Sequence, residues 1–265
     1  MKMEIKEIIT HKKEGWQVWR LLYEKDFVIV EWRNEEARKV DFMKIDLKEG
    51  KIDWEGISLE EDWWVGASAI ADDHLYLYNF DEEEQVPKVR NIIAIDHHNG
   101  KVKWIKEGCQ YLDAQNDEIQ AIHPASGSYL LLAATDGRTL KEAQELPELQ
   151  STTTNVEENI HRYTETNPHF DTFKRFLSKS LHIHPHKQIL YLEHKEGFTL
   201  SFYMEEDSSA KIYSHWLCTF SKGGDLLQKI CLQAQTEEVS LDAFWSQENY
   251  LFYLVEKDTL VVNRI

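Results

Sequence analysis

Near residue 180 the chain reads Ser180-Leu-His-Ile-His-Pro-His-Lys, with His182, His184 and His186 at alternate positions and His194 following. Imidazoles at i, i+2 and i+4 of an extended strand share one face, an arrangement that suits zinc, copper or iron. Pro185 interrupts that pattern, because it cannot donate to a strand ladder. His182 and His184 then remain on one face, and the third metal ligand would be His194, His169 or a carboxylate. A second reading comes from Gln120-Ala-Ile-His-Pro-Ala-Ser-Gly. There Ile122-His123-Pro124 matches Ile183-His184-Pro185, and an apolar run follows each. On that reading the histidines belong to the strand and turn of a repeated element.

Other residue types narrow the chemistry. The acidic runs Glu60-Glu61-Asp62, Asp81-Glu82-Glu83-Glu84, Glu157-Glu158 and Glu205-Glu206-Asp207 lack the alternating oxygens and glycine of a calcium loop. They read as solvated loops. Asp113, Asp117 and Glu118 just precede a strand and are candidates for a ligand site. No G-x-S-x-G, H-E-x-x-H, P-loop or G-x-G-x-x-G is present, which counts against a common hydrolase or kinase. Trp63 and Trp64 are adjacent, so in an extended segment one of them points away from the core. Trp63 is therefore a candidate for ligand contact.

The totals bound the classes of partner. The 265 residues carry a formal net charge of −17, which repels nucleic acid and anionic membrane at long range. The plain reading of this acidity is solubility; a basic protein partner or a cation is the sharper alternative. No apolar stretch of about 18 residues and no signal-peptide pattern is visible, so neither membrane nor export is expected. Cys109, Cys218 and Cys231 are odd in number and form no C-x-x-C, which fits a reducing, cytoplasmic compartment.

The elements that must position these residues come as repeats. Lys44–Trp54 and Ala94–Trp104 both contain D-x-x-x-G-K-x-x-W, with Asp46, Gly50 and Trp54 matching Asp96, Gly100 and Trp104. An apolar strand runs into an Asp that accepts turn amides, and a Gly supplies positive φ before the return strand. The tryptophan at a fixed offset suits packing between successive repeats. Weaker copies surround Gly15 and Trp19, Asp136-Gly137 with Lys141 at the Trp position, and Gly223-Gly224. Between them lie five strand–turn–strand units, at 19–32, 67–80, 119–134, 181–194 and 241–256. About four strands per 53 residues is the mark of a β-propeller blade. The expected fold is therefore all-β: a single propeller over 1–265, most simply five four-stranded blades within a range of four to six. The N-terminal strands would close the ring.

Ala94-Ile-Asp96-His-His-Asn99-Gly100-Lys-Val-Lys-Trp104 resembles the repeat of pyrroloquinoline-quinone-type β-propellers, roughly A-x-D-x-x-T-G-x-x-x-W, with Asn99 at the Thr position. In the other copy Lys44 and Glu49 stand at the Ala and Thr positions. The resemblance implies a docking role for Trp54 and Trp104. It does not extend to the quinone: no vicinal Cys pair or calcium set matches, so no cofactor is expected. Residues 143–179 interrupt the repeats. From Asn167-Pro168 onward Phe170, Phe173, Phe176 and Leu177 fall on one helical face, with Asn167 as N-cap.

The function expected from this reading is a non-catalytic scaffold that presents loops at one propeller face to a protein or small molecule. The alternative is a metal-binding protein or an uncommon enzyme built on the histidines near the insertion.

Overall fold

The computed structural model describes residues 5–57, 59, 63–80, 89–145, 160–237, 239–240 and 243–265. They form five antiparallel sheets and one helix. The first sheet is β2 (Gln17–Glu24), β3 (Phe27–Asn34), β4 (Lys39–Asp46) and β5 (Lys51–Glu55), paired in chain order. The second is β6 (Val65–Ala71), β7 (His74–Phe80), β8 (Val89–Asp96) and β9 (Lys101–Glu107). The third is β10 (Gln110–Gln115), β11 (Glu118–His123), β12 (Ser128–Ala133) and β13 (Thr139–Ala143). The fourth has five strands: β14 (His161–Thr164), β15 (Pro185–His194), β16 (Gly197–Asp207), β17 (Ile212–Ser221) and β18 (Leu226–Thr236). The fifth is β19 (Phe244–Gln247), β20 (Tyr250–Val255) and β21 (Thr259–Arg264), completed by the N-terminal β1 (Lys6–Lys12), which pairs with β21.

The chain divides into two compact units: residues 16–155, with the first three sheets, and residues 1–15 with 156–265, carrying the other two. Within the first unit, one apolar cluster joins Ile29 and Phe42 to Leu75, Leu77 and Ile95, from the first and second sheets. Another joins Tyr76, Ile92 and Ala94 to Ile119, Ala121 and Leu132, from the second and third. The first and second sheets thus each bury an alternating face against the sheet that follows, as period-2 patterning demands. In the second unit Leu190, Leu217 and Leu232 meet Phe244, Leu251 and Tyr253 in the same manner.

Hydrogen bonds define the repeat more sharply than sequence does. In every sheet the residue just after the third repeated strand donates its amide to the second residue of the first hairpin turn. The pairs are Leu47 to Asp26 (2.9 Å), His97 to Asp73 (3.3 Å), Ala134 to Asp117 (2.8 Å), Lys222 to Glu196 (3.0 Å) and Ile265 to Asn249 (2.9 Å). This fixes β15–β18 as the repeated four strands of the fourth sheet and leaves β14 as an addition. The D-x-x-x-G hairpins close the other way. Gly50, Gly100 and Gly137 donate to the carbonyls of Asp46, Asp96 and Ala133, each at 2.9 Å, with the glycines at φ of 65°, 70° and 68°. Asp46 Oδ1 accepts the amides of Lys48 and Glu49 as well.

Three sequence expectations change. The segment around Gly15 is not a hairpin, because β1 pairs with β21 and β2 with β3. The 119–134 segment is the second hairpin of its sheet; the first turn is Asn116-Asp117, between β10 and β11. The 181–194 segment is not a strand–turn–strand unit. Helix α1 (Pro168–Leu181) runs into it, His182 caps the helix at φ 56°, and Pro185 opens β15, where its missing amide costs no ladder bond. The interruption at 143–179 also contains β14, which joins the fourth sheet; residues 146–159 lie outside the described residues.

Helix α1 begins where its capping chemistry places it. Asn167 accepts the His169 amide and Pro168 sits in the first turn. Phe170 and Leu177 are buried, and Phe173 and Phe176 pack with them on Ile189, Leu200, Phe202, Cys218 and Phe220.

Trp104 crosses from the second sheet to the third, donating its indole N–H to the Ala134 carbonyl at 2.8 Å. Its ring leaves no room at Gly137, where an added Cβ would lie 2.7 Å from the indole. Gly127 has a similar φ of 71° and open space. Gly127→Ala should cost about 1 kcal/mol of backbone strain. Gly137→Ala should cost about 1–3 kcal/mol more through overpacking. Urea unfolding midpoints of the two variants check this, and equal losses would show that the indole contact is slack.

Candidate functional site

The polar groups that converge in the first unit lie where hairpin turns meet. The β6–β7 turn is Asp72-Asp73 and the β10–β11 turn is Asn116-Asp117; all four residues have φ between 46° and 63°. Two-residue turns with both φ positive are type I′, which Asn and Asp tolerate. The Asp117 amide donates to Asp72 Oδ2 at 3.0 Å, so one turn holds the other.

Beneath them lies a pair of stacked tyrosines, Tyr76 and Tyr111, with ring centroids 5.2 Å apart. Tyr76 is fully buried, and its hydroxyl finds no hydrogen-bond partner among the described residues. Burial, reinforced by the charge of Asp72, pushes its acidity far below that of a free phenol. Burial followed by the charge of Asp113 does the same to Tyr111. Both remain neutral phenols under carboxylates.

Asp73 faces the other way. Its Oδ1 lies 3.5 Å from His97 Nε2 and 3.6 Å from His98 Nε2. These two histidines occupy the middle of the second D-x-x-x-G loop. Asp73, His97 and His98 form the one group of three or more metal-capable side chains among the described residues, all within 4.8 Å of one another. His97 is buried, stacked on Phe27 at 4.8 Å and against His98 at 4.1 Å. Its carbonyl accepts the Trp54 indole at 2.8 Å. Lys44 approaches its Nδ1 at 3.4 Å, pairs with Asp53 at 3.4 Å and lies over the Phe27 ring. Burial first, then the charges of His98 and Lys44, holds the His97 pKa below the ordinary imidazole value. An ammonium only donates, so Nδ1 accepts and the ring proton sits on Nε2, toward Asp73.

The candidates read from sequence separate in space. Asp113 and Asp117 join the tyrosine group. Trp63 does not; with the exposed Trp19 it flanks the Arg33 guanidinium, at 5.2 and 5.1 Å. Arg33 in turn pairs with the buried Glu31 at 2.8 Å, and Glu31 accepts the Ala67 amide. His182 is the helix cap. His184 lines an open groove beside α1 with Asp171, Lys174, Arg175 and Lys179. His194 bonds to Thr199 at 3.3 Å, and burial draws its pKa down to about 4. The face predicted for His182 and His184 does not exist, because neither residue is in a strand. Of the acidic runs, 60–62, 81–84 and 157–158 lie outside the described residues; Asp207 accepts the Ser209 and Ala210 amides as a turn residue.

Sequence reasoning passed over His97 and His98, treating them as turn positions of the hairpin. Their adjacency inside a repeat whose other copy has Leu47-Lys48 was the available signal.

Trp54 and Trp104 each donate to the hairpin of the following sheet, which defines a repeat protein of all-β class with docking tryptophans. Residues 23–104 match the sequence profile of a domain of unknown function, DUF4905. No curated protein matches. Among solved structures, BamB from Moraxella catarrhalis aligns over 99% of this chain and 98% of its own, at 9% identity and TM-score 0.34. AztD from Citrobacter koseri aligns over 89% of this chain and 64% of its own, at 8% identity and TM-score 0.27. A DUF4221 family member from Bacteroides vulgatus aligns over 98% of both chains, at 10% identity and TM-score 0.23.

In the second unit, buried Ser201 and His215 lie 2.6 Å apart, with His215 stacked on Tyr203. The cavity beside His215 is about 70 Å³, room for about two waters, so the pair is structural. Burial draws the His215 pKa down to about 4. The unfolded chain therefore takes up a proton that the fold refuses. Stability should fall as pH drops from about 6.5 to 4, by at most about 1.4 kcal/mol per pH unit for this residue. His215→Gln should flatten that slope in urea titrations at pH 6.5 and 4.5; an unchanged slope would place the proton uptake elsewhere.

Proposed function

We propose that the protein is a non-catalytic binding scaffold, a five-bladed β-propeller in which β1 completes the last blade and closes the ring. Its ligand is multiply cationic: a basic protein segment or a polyamine. The observation that carries the reading is the locked pair of turns, in which Asp117 is tied to Asp72 above the stacked tyrosines. A pre-formed site spends no binding energy on ordering loops. Five hydrogen-bonded units of four strands support the blade count, since each has the same amide-to-turn tie.

The second residue of that turn is acidic in four of the five units: Asp26, Asp73, Asp117 and Glu196. Asp26 is answered by Lys48 at 2.7 Å. The overall charge of −17 adds long-range attraction for a cation and repulsion for nucleic acid and anionic membrane. On this reading no cofactor is needed, and the compartment is the cytoplasm.

The probe is a fluorescent octalysine peptide followed by anisotropy. Saturable binding is expected at about 50 mM salt, weakened several-fold at about 300 mM as the Debye length shortens. The Asp72→Asn/Asp117→Asn double variant keeps the turn acceptor but removes both charges, and should lose most of the affinity. Glu35→Gln/Glu36→Gln, on an exposed turn of the first sheet, should not. Equal losses in both variants would reduce the effect to diffuse charge and sink the site.

A further inference from the structure

We propose that Asp73, His97 and His98 form a two-histidine, one-carboxylate site for a borderline divalent cation such as Zn²⁺ or Ni²⁺. The inference uses residues other than the Asp72–Asp117 pair and stands whether or not the basic-ligand reading does.

Geometry carries it. Zinc–ligand bonds of about 2.0–2.1 Å place tetrahedral ligands roughly 3.3–3.4 Å apart. Asp73 Oδ1 already lies 3.5 and 3.6 Å from the two imidazole Nε2 atoms. All three donors fall within 4.8 Å, so a small rotation of the exposed His98 closes the third edge. The buried member is held on every side. Phe27 stacks on the His97 ring, its carbonyl takes the Trp54 indole, and its amide donates to the Asp73 carbonyl. Two ligands are therefore joined through their own backbones, and the third is the next residue in the chain. Asp73 and His98 are both exposed, which leaves the remaining coordination positions open to water or a ligand.

Lys44 sets the strength of this site. A metal at Nε2 displaces the ring proton there, and the neutral ring must then carry its proton on Nδ1. A ligating histidine ordinarily donates that proton to an acceptor. Here it meets the Lys44 ammonium, another donor, at 3.4 Å. Lys44 keeps Asp53 as its partner, so the clash weakens binding without abolishing it. The structure thus assigns a metal site of moderate, exchangeable affinity, restrained by a lysine one sheet away.

The test is calorimetric titration of the full chain with ZnCl₂ and NiCl₂ near pH 7.5. One ion per chain is expected. His98→Ala and Asp73→Asn should each weaken binding at least about tenfold, the scale that even outer partners of a ligand command. Their unfolding midpoints without metal should match the parent. His182→Ala/His184→Ala should leave the affinity unchanged. Lys44→Met should tighten binding several-fold, a direction that general damage does not produce. If Lys44→Met does not fold, His98→Ala and Asp73→Asn decide alone. No binding up to about 1 mM ion, or equal affinity in the parent, His98→Ala and Asp73→Asn, would overturn the proposal; the latter would mean an adventitious surface ion only.

Discussion

The tryptophan-to-carbonyl dock is the interaction on which the rest of the first unit hangs. Trp54 donates to the His97 carbonyl, and the amide of His97 donates to the Asp73 carbonyl. Trp104 donates to the Ala134 carbonyl, and the amide of Ala134 donates to the Asp117 carbonyl. One residue of the next sheet therefore takes both bonds: its carbonyl accepts the indole of the preceding sheet, and its amide, in the adjoining peptide group, donates to its own sheet's first turn. With both backbone polar groups of that residue met, its φ and ψ are constrained from two sides. The glycines at 100 and 137 complete the dock by letting the indole lie against bare backbone, 3.1 and 2.7 Å from where a Cβ would stand. Sheet spacing, loop conformation and turn position are thus set together.

This has a consequence for chemistry. Residues tied by these bonds, His97 and Asp73 in one case and Asp117 with its partner Asp72 in the other, are those the candidate site uses. Loops ordinarily buy function with mobility. Here the loops that carry the candidate groups are the joints of the repeat, and their backbones are tied by hydrogen bonds to neighbouring turns and indoles. Asp72 and Asp73, adjacent in one tight turn, point to different neighbours: Asp72 to the third sheet's turn, Asp73 to the histidines of its own sheet. One turn thereby couples two polar groups without any element of its own.

The repeat was readable because its grammar is local. An Asp that caps a turn, a Gly at positive φ and an aromatic four residues on are dictated by a single hairpin, and so is the helix started by Asn167-Pro168. What stayed hidden was non-local or disguised. The partner of β1 lies some 250 residues away, so the turn at Gly15 looked like any other glycine turn. The exit of α1 carries His182 rather than Gly in the left-handed cap, and it removed the usual stop signal. Alternation of three histidines then mimicked a strand. His97 and His98 were visible as letters, but Asp73 reaches them only when β7 pairs with β8, and Lys44 only when the first sheet packs on the second.

The histidine pair at 97–98 has a cost that the repeat alone does not explain. Leu47-Lys48 fills the same loop positions in the first sheet, and Leu47 is fully buried. Placing an imidazole at the equivalent buried position requires desolvating it, which is unfavourable unless its polar atoms are met. The structure meets both of them: Lys44 on one nitrogen, Asp73 on the other. Lys44 is itself a buried ammonium, held by Asp53 and the Phe27 face. Burying a lysine to satisfy a histidine, where a leucine would serve the fold, is an expense the packing does not return. Such departures from local consistency concentrate where a protein binds something. By that argument, the second hairpin of the repeat is where structure and function diverge in this chain.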